Sequence, residues 1–280
     1  MASLKVNGRT VGYQIWHEGK SETLVLFHGF TGSAKGWANI AAQFPEFRVV
    51  AFDMIGHGES DAPAEAALYE MDVQTALLAA AFEALKLSTV HLLGYSMGGR
   101  IALSFACAYP QYVRSLTLES ATAGLEEQAE RIARQEGDTK LAEKIEHEGL
   151  ESFINFWERI PLFESHANLP SEVQKALREE RMSQRAVGLA NSLRGIGTGK
   201  MPALWNQLQY LQMPVHLLVG EHDPKFIQLN KKMAERIQNV YFSTISNAGH
   251  TIHVENPTQF VKMVKELIFK FEEEQSNGNS

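Results

Sequence analysis

Residues 90–109 constrain the fold most. An apolar run, Val90-His-Leu-Leu, meets Gly94-Tyr95-Ser96-Met97-Gly98 and passes directly into a helix-forming stretch over 99–109. The pattern Gly-x-Ser-x-Gly is weak alone, but between a strand and a helix it describes a tight turn that lifts the serine hydroxyl clear of a sheet. Gly94 and Gly98 leave room for the crowded backbone. The N–H of Met97 falls at a helix N-terminus, where negative charge is stabilised.

The rest of the chain supplies the sheet. Apolar segments flank Asn7-Gly8, the signature of a β-hairpin. Short β-branched or aromatic runs follow at 24–28, 48–53, 90–94, 116–119, 215–220 and 240–245. Most lack polar alternation, so both faces of these strands should be covered. Helical patterns at 72–87, 97–109, 225–237 and 258–271 lie between them, which predicts a mostly parallel central sheet flanked by helices. From 125 to 211 the rhythm stops. Helices are expected at 126–147, 150–157 and 171–194 and near Trp205, with no strand. This predicts an α/β-hydrolase fold whose core spans 1–124 and 212–272, with a helical lid insertion at 125–211 and a flexible tail at 273–280.

The chain has 280 residues, 44% hydrophobic and 21% charged, which is enough apolar material for one large core. Its net charge of -7 argues against non-specific nucleic-acid binding, though a pocket can still be locally basic. Cys107 is the only cysteine, so no internal disulfide forms, and its apolar neighbours read as a buried helix face. The N-terminal residues show no signal-peptide pattern, and no uninterrupted apolar run reaches membrane-spanning length. A cytoplasmic monomer or weak homo-oligomer is expected, without membrane or nucleic-acid partners.

In this fold the acid and base follow the serine in the order Ser, Asp/Glu, His. The strand 215–220 leads into Glu221-His222-Asp223-Pro224. Asp223 is the expected acid, deeper in the loop, with Glu221 as the alternative. The strand 240–245 leads into Asn247-Ala248-Gly249-His250, and the glycine turn aims His250 back at the serine. His253 is a rival base that lacks such a turn and is expected to pack under the lid. Ser96, Asp223 and His250 are thus the expected triad: neutral imidazole takes the serine proton near pH 7, and Asp223 fixes its tautomer and stabilises the imidazolium. The oxyanion hole is expected from the N–H groups of Met97 and of Phe30, in the loop His28-Gly29-Phe30. His28 and His57 read as loop supports. No histidine spacing suggests a metal.

Some motifs are widespread in this superfamily: His28-Gly-Phe-Thr-Gly32, Asp53-Met-Ile-Gly-His-Gly-Glu-Ser60 and Asn247-Ala-Gly-His250. Others discriminate more: Gly94-Tyr-Ser-Met-Gly-Gly-Arg100, Leu118-Glu-Ser-Ala-Thr-Ala-Gly-Leu125, Phe156-Trp-Glu-Arg-Ile-Pro-Leu-Phe163, Gly195-Ile-Gly-Thr-Gly-Lys-Met-Pro-Ala-Leu-Trp205, Gly220-Glu-His-Asp-Pro-Lys-Phe226 and Gly249-His-Thr-Ile-His-Val-Glu-Asn-Pro257. Together they make the chain, from Leu24 to about Phe271, resemble the 2-succinyl-6-hydroxy-2,4-cyclohexadiene-1-carboxylate synthases of menaquinone biosynthesis. The resemblance implies a lyase that eliminates pyruvate from a small tricarboxylate without a cofactor, Ser96 acting as a general base through His250. Such a substrate needs cations. Arg100 is placed near Ser96 by its i+4 spacing on one helix. Of the lid cations Arg131, Arg134, Lys140, Arg181 and Arg185, the resemblance matches Lys140 and Arg181 to carboxylate-binding positions. Tyr95 and Trp157 are candidates to line the ring-binding site, or equally to belong to the lid core. A hydrolase of an ester, thioester or carbon–carbon bond, with Ser96 as nucleophile, is the alternative. A non-enzymatic receptor or scaffold is a third reading, opposed by an intact triad.

Overall fold

The computed structural model describes the backbone of residues 1–278 and the side chains of residues 1–270. Its chain opens on a hairpin, β1 (Ala2–Val6) and β2 (Arg9–Trp16), paired antiparallel with Val6 opposite Arg9. Asn7 and Gly8 make the two-residue turn, with φ of 50° and 74°, the left-handed pair such a tight turn requires. Six further strands follow: β3 (Thr23–Phe27), β4 (Arg48–Phe52), β5 (Val90–Tyr95), β6 (Val113–Glu119), β7 (Val215–Gly220) and β8 (Val240–Ile245). The eight form one sheet in the order β1-β2-β4-β3-β5-β6-β7-β8. β2 joins β4 antiparallel, and every later neighbour pairs parallel.

Continuous apolar strands follow from cover on both faces. On β3, Val25 and Phe27 enter one core cluster while Leu24 and Leu26 enter the other, and β4 divides the same way between Val50/Phe52 and Val49/Ala51. The first cluster also takes Leu77, Leu78 and Phe82 of α2 (Met71–Ala84) and Ile101 and Phe105 of α3 (Met97–Ala108). On the other face Trp37, Ile40 of the short α1 (Ala38–Ala41) and Phe44 meet Phe260 and Val264 of the C-terminal helix.

Between β6 and β7 lie helices alone. α4 (Gln128–Trp157) is kinked at Gly149 (φ 84°, ψ 164°), where the sequence predicts a break between 147 and 150. A 3-10 segment, Pro161–Asn168, follows. The single helix expected over 171–194 is two, α5 (Ser171–Met182) and α6 (Ala186–Ile196). The cause is long-range. Gln184 accepts the Gly58 N–H and donates to the Gly32 carbonyl, and Arg185 donates to the carbonyls of His57, Gly58 and Ser60. These bonds to the loops above the sheet pull the backbone out of helical register.

After a second 3-10 segment, Trp205–Tyr210, the chain returns to the sheet at β7. It finishes through α7 (Pro224–Ala234), the short α8 (Ile252–Glu255) and α9 (Pro257–Gly278). The expected tail, 273–280, overlaps the last turns of α9 in its backbone, and residues 279 and 280 lie outside the described residues. Among the described residues, no helix is long and apolar enough to cross a membrane.

Candidate active site

Ser96 stands between β5 and α3 with φ 50° and ψ -107°, a strained conformation for a non-glycine residue. Its neighbours permit this. A Cβ on Gly94 would come within 2.3 Å of the Gly98 carbonyl oxygen, and one on Gly98 within 2.3 Å of the Phe27 carbonyl oxygen. Only glycine at both places lets the turn close against β3.

Asp223 and His250 arrive from the loops after β7 and β8. Asp223 caps α7, its Oδ1 accepting the Phe226 N–H at 3.3 Å. Its Oδ2 lies 2.6 Å from His250 Nδ1, and His250 Nε2 lies 3.0 Å from Ser96 Oγ. A carboxylate can only accept, so Nδ1 carries the proton and Nε2 is left to accept from the serine. Both Asp223 and His250 are buried. The His250 ring is held among Phe226, Tyr95 and Phe163, at centroid distances of 4.6, 5.6 and 6.2 Å. Glu221, the alternative acid, is exposed and accepts the Asn247 N–H at 3.1 Å, so it braces a surface turn away from His250.

Ser96 and His250 open into a cavity that Phe30 and Met97 also line. As the first residue of α3, Met97 has an N–H with no intrahelical acceptor. The Phe30 loop is set by His28, whose Nδ1–H donates to the Gly29 carbonyl at 2.8 Å while Nε2 accepts the Met54 N–H at 3.0 Å. These two partners require a neutral imidazole, and burial pushes the His28 pKa down accordingly. His57, fully buried, hydrogen-bonds the Ile55 carbonyl in the adjacent loop.

Three cations line the same cavity: Arg100, Arg134 and Lys225. Arg100 is 9% exposed and is not the surface ion pair that a helix arginine often makes. Its guanidinium donates to the Ile196 carbonyl, with the Met201 sulfur 3.7 Å away. Burial and the neighbouring Arg134 draw its pKa down to about 10 against the pull of Asp138, which leaves it charged at neutral pH. Arg134 donates to Asp138 Oδ1 at 2.8 Å. Burial raises the Asp138 pKa, and the two arginines oppose this. Lys225 stands exposed, its ammonium 5.9 Å from the centre of the Phe226 ring.

The expected lid cations fall differently. Lys140 is exposed and lines no cavity around Ser96. Helical phase explains the placement. The inward face of α4 runs through Asp138, Ala142 and Ile145, all buried, and Lys140 is about 200° from Asp138 around the axis. One turn before Asp138 on the same side of the helix is Arg134, which lines the Ser96 cavity although its own side chain is largely exposed.

Arg181 is buried but lies in a neighbouring cavity, separated from the first by Phe30, Tyr95 and Phe163, which line both. Its guanidinium meets Glu158 at 3.3 Å and sits 5.1 Å over the Phe163 ring. The structure therefore does not bring Arg181 to the Ser96 cavity. Tyr95 contributes its ring to the wall, with its hydroxyl committed to Thr251 at 2.8 Å. Trp157 fits both readings. It stacks on Phe153 at 5.5 Å and meets Phe30 edge-on at 5.3 Å, yet it also lines the cavity, and its buried indole N–H has no hydrogen-bond partner among the described residues. His253 lines the neighbouring cavity beside the lid residues Phe163, His166 and Arg181, as expected; its Nδ1 lies 2.9 Å from the buried Glu119, and its ring packs between Trp37 and Tyr95. Among the described residues, no group of three or more His, Cys, Asp or Glu is arranged to hold a metal ion.

Comparison with known proteins agrees with this geometry. Residues 22–257 match the α/β-hydrolase-fold family model. A putative 2-succinyl-6-hydroxy-2,4-cyclohexadiene-1-carboxylate synthase of Bacillus subtilis (strain 168) is 43% identical over 260 residues, 92% of this chain and 95% of the relative. The synthase of that name from Enterobacter sp. (strain 638) is 31% identical over 88% of this chain and 91% of its own length. Among solved structures, MenH from S. aureus superposes with a TM-score of 0.89 at 36% identity, covering 93% of this chain and 98% of that one. The chain belongs to the α/β-hydrolase-fold family and, within it, to the family of the 2-succinyl-6-hydroxy-2,4-cyclohexadiene-1-carboxylate synthases.

Proposed function

We propose that this protein eliminates pyruvate from 2-succinyl-5-enolpyruvyl-6-hydroxy-3-cyclohexene-1-carboxylate, giving 2-succinyl-6-hydroxy-2,4-cyclohexadiene-1-carboxylate. The observation that carries the reading is the joining of a Ser-His-Asp relay and three cations in one cavity of a chain with net charge -7. A tricarboxylate loses hydration on entering such a site, and fixed cations offset that cost. The names of the relatives give the product, 2-succinyl-6-hydroxy-2,4-cyclohexadiene-1-carboxylate, and its enolpyruvyl precursor is the substrate that pyruvate elimination would require.

In this mechanism His250 Nε2 takes the Ser96 proton, with Asp223 stabilising the imidazolium. Ser96 Oγ then removes the acidic C–H of the substrate as a general base. Negative charge developing on the enolate oxygen is held by the N–H groups of Phe30 and Met97. The carbon–oxygen bond to the enolpyruvyl group breaks, and the departing enolpyruvate becomes pyruvate on protonation. Arg100 and Arg134 hold carboxylates, and Trp157 and Tyr95 flank the ring. No acyl-enzyme is needed. Arg181 lines the adjoining cavity and has no step in this mechanism.

The test is to supply the enolpyruvyl substrate and follow pyruvate together with the conjugated diene. Equal amounts of both products, formed at a rate proportional to enzyme, are expected. Diene or pyruvate at the uncatalysed rate, with rapid hydrolysis of an activated ester, would assign Ser96 to the nucleophilic chemistry of a hydrolase instead.

A further inference from the structure

His250 lies in a loop between β8 and α8, so neither sheet nor helix fixes its backbone. Its side chain is tied to Asp223 and Ser96, but the peptide that carries it needs its own support. A carboxylate five residues on provides it. Glu255 Oε2 accepts the Gly249 N–H at 2.7 Å, and Oε1 accepts the Thr251 N–H at 2.9 Å. Those are the amides on either side of His250.

The same carboxylate reaches the lid. The Glu255 side chain is 4% exposed, and its Oε1 lies 3.6 Å from His166 Nε2. Ser165 also hydrogen-bonds to it. Both belong to the 3-10 segment Pro161–Asn168. His166 Nε2 further bonds the Thr251 hydroxyl at 3.1 Å, next in sequence to the base. Burial raises the Glu255 pKa, but the bonds from His166, Gly249, Thr251 and Ser165 outweigh it and hold the carboxyl below its ordinary range. Glu255 touches neither Ser96 nor His250's ring nitrogens, and the relay described above does not use it.

We infer that Glu255 is a positioning residue: its carboxylate clamps the backbone N–H groups of the residues before and after His250, sets the reach of the imidazole to Ser96, and couples that setting to the lid segment 161–168. The inference rests on the reading that the Ser96–His250 pair performs the chemistry. Displacing a reacting group by about an ångström costs on the order of a hundredfold in rate, so a loosened clamp is visible kinetically. Glu255→Gln is the sharpest variant. A carboxamide keeps the size but has one accepting oxygen, and its NH2 faces an amide N–H that it cannot satisfy.

Two rates are compared in wild type and Glu255→Gln. The first is pyruvate release. The second is labelling of Ser96 by a fluorophosphonate, in which Ser96 Oγ bonds phosphorus, fluoride leaves, and the serine proton passes to His250. Labelling needs an aligned His250 whatever the natural substrate. If wild type labels but releases no pyruvate, the lyase reading fails and the labelling comparison still decides the role of Glu255. The expected result is a fall of about tenfold or more in labelling rate and in kcat, with KM changed less than about threefold and the protein folded. Unchanged labelling, or a loss no larger than the loss of folded protein, overturns the inference. Should the variant not fold, amide exchange in wild type decides: protected Gly249 and Thr251 N–H groups are expected, and exchange at the rate of an open loop overturns it.

Discussion

His250 can accept a proton at Nε2 because its Nδ1 is committed to Asp223 at 2.6 Å. Replacing either end of the relay should therefore cost far more than replacing its neighbours. Ser96→Ala and His250→Ala are each expected to lower turnover by about three orders of magnitude or more while circular dichroism stays native. Asp223→Asn should cost nearly as much, because the amide can present its NH2 to Nδ1 and reverse the tautomer. Glu221→Gln, at an exposed brace, should leave kcat within about twofold; a larger loss there than at Asp223 would move the acid. The cations divide in the same way. Arg100→Ala is expected to reduce kcat/KM by about a hundredfold, about 3 kcal/mol, the scale of truncating one partner of a buried charged pair. Lys140→Ala should be close to wild type, and steady-state kinetics on the enolpyruvyl substrate distinguishes the two. The Ser-Asp-His order was readable from the sequence because each member follows a strand and occupies its own short loop. The placement of the lid cations was not, because which basic residue of α4 faces the Ser96 cavity depends on the phase of that helix, set by its packing against α6 and the core.

Among the elements, strands and the helices that cover them could be located from apolar runs, since burial on both faces leaves a local mark. The break between α5 and α6 left none: Gln184 and Arg185 are ordinary helix formers, and only their bonds to Gly32, Gly58 and neighbouring carbonyls interrupt the helix. The kink in α4 is the opposite case, announced by Gly149. At φ 84° and ψ 164° that residue occupies a region essentially closed to side-chain-bearing residues, although a Cβ there would meet nothing within 4 Å. Gly149→Ala should thus destabilise through backbone strain alone, by about 1–3 kcal/mol in chemical denaturation. A gain in stability would mean that α4 can straighten, and that its kink is not held by the rest of the lid.

For the molecule as a whole, several histidines are buried as neutral groups outside the relay. Burial lowers the pKa of His91 to about 4, and that of His216 to about 3. His57 and His28 are lowered for the same leading reason. The unfolded chain protonates such residues near their ordinary value of about 6.5, and the folded one does not. Stability is therefore expected to fall as pH drops below about 6.5, continuing toward 4 for His91 and toward 3 for His216. Each histidine contributes a slope of up to about 1.4 kcal/mol per pH unit in that window. Denaturation midpoints at pH 7.5 and 5.5 check this; a midpoint that holds or rises on acidification would contradict it. Such acid sensitivity is separate from turnover, so kinetic comparisons belong near neutral pH. The claim that joins these scales is that Ser96 acts as a base within a cationic cavity, not as a nucleophile. Its most direct test is intact-protein mass spectrometry during a single turnover, with pyruvate quantified in the same sample. One pyruvate per substrate consumed is expected, with no gain of mass on the enzyme at any time. A covalent adduct on Ser96 that forms and decays at the rate of turnover, or substrate consumed without pyruvate, would contradict it.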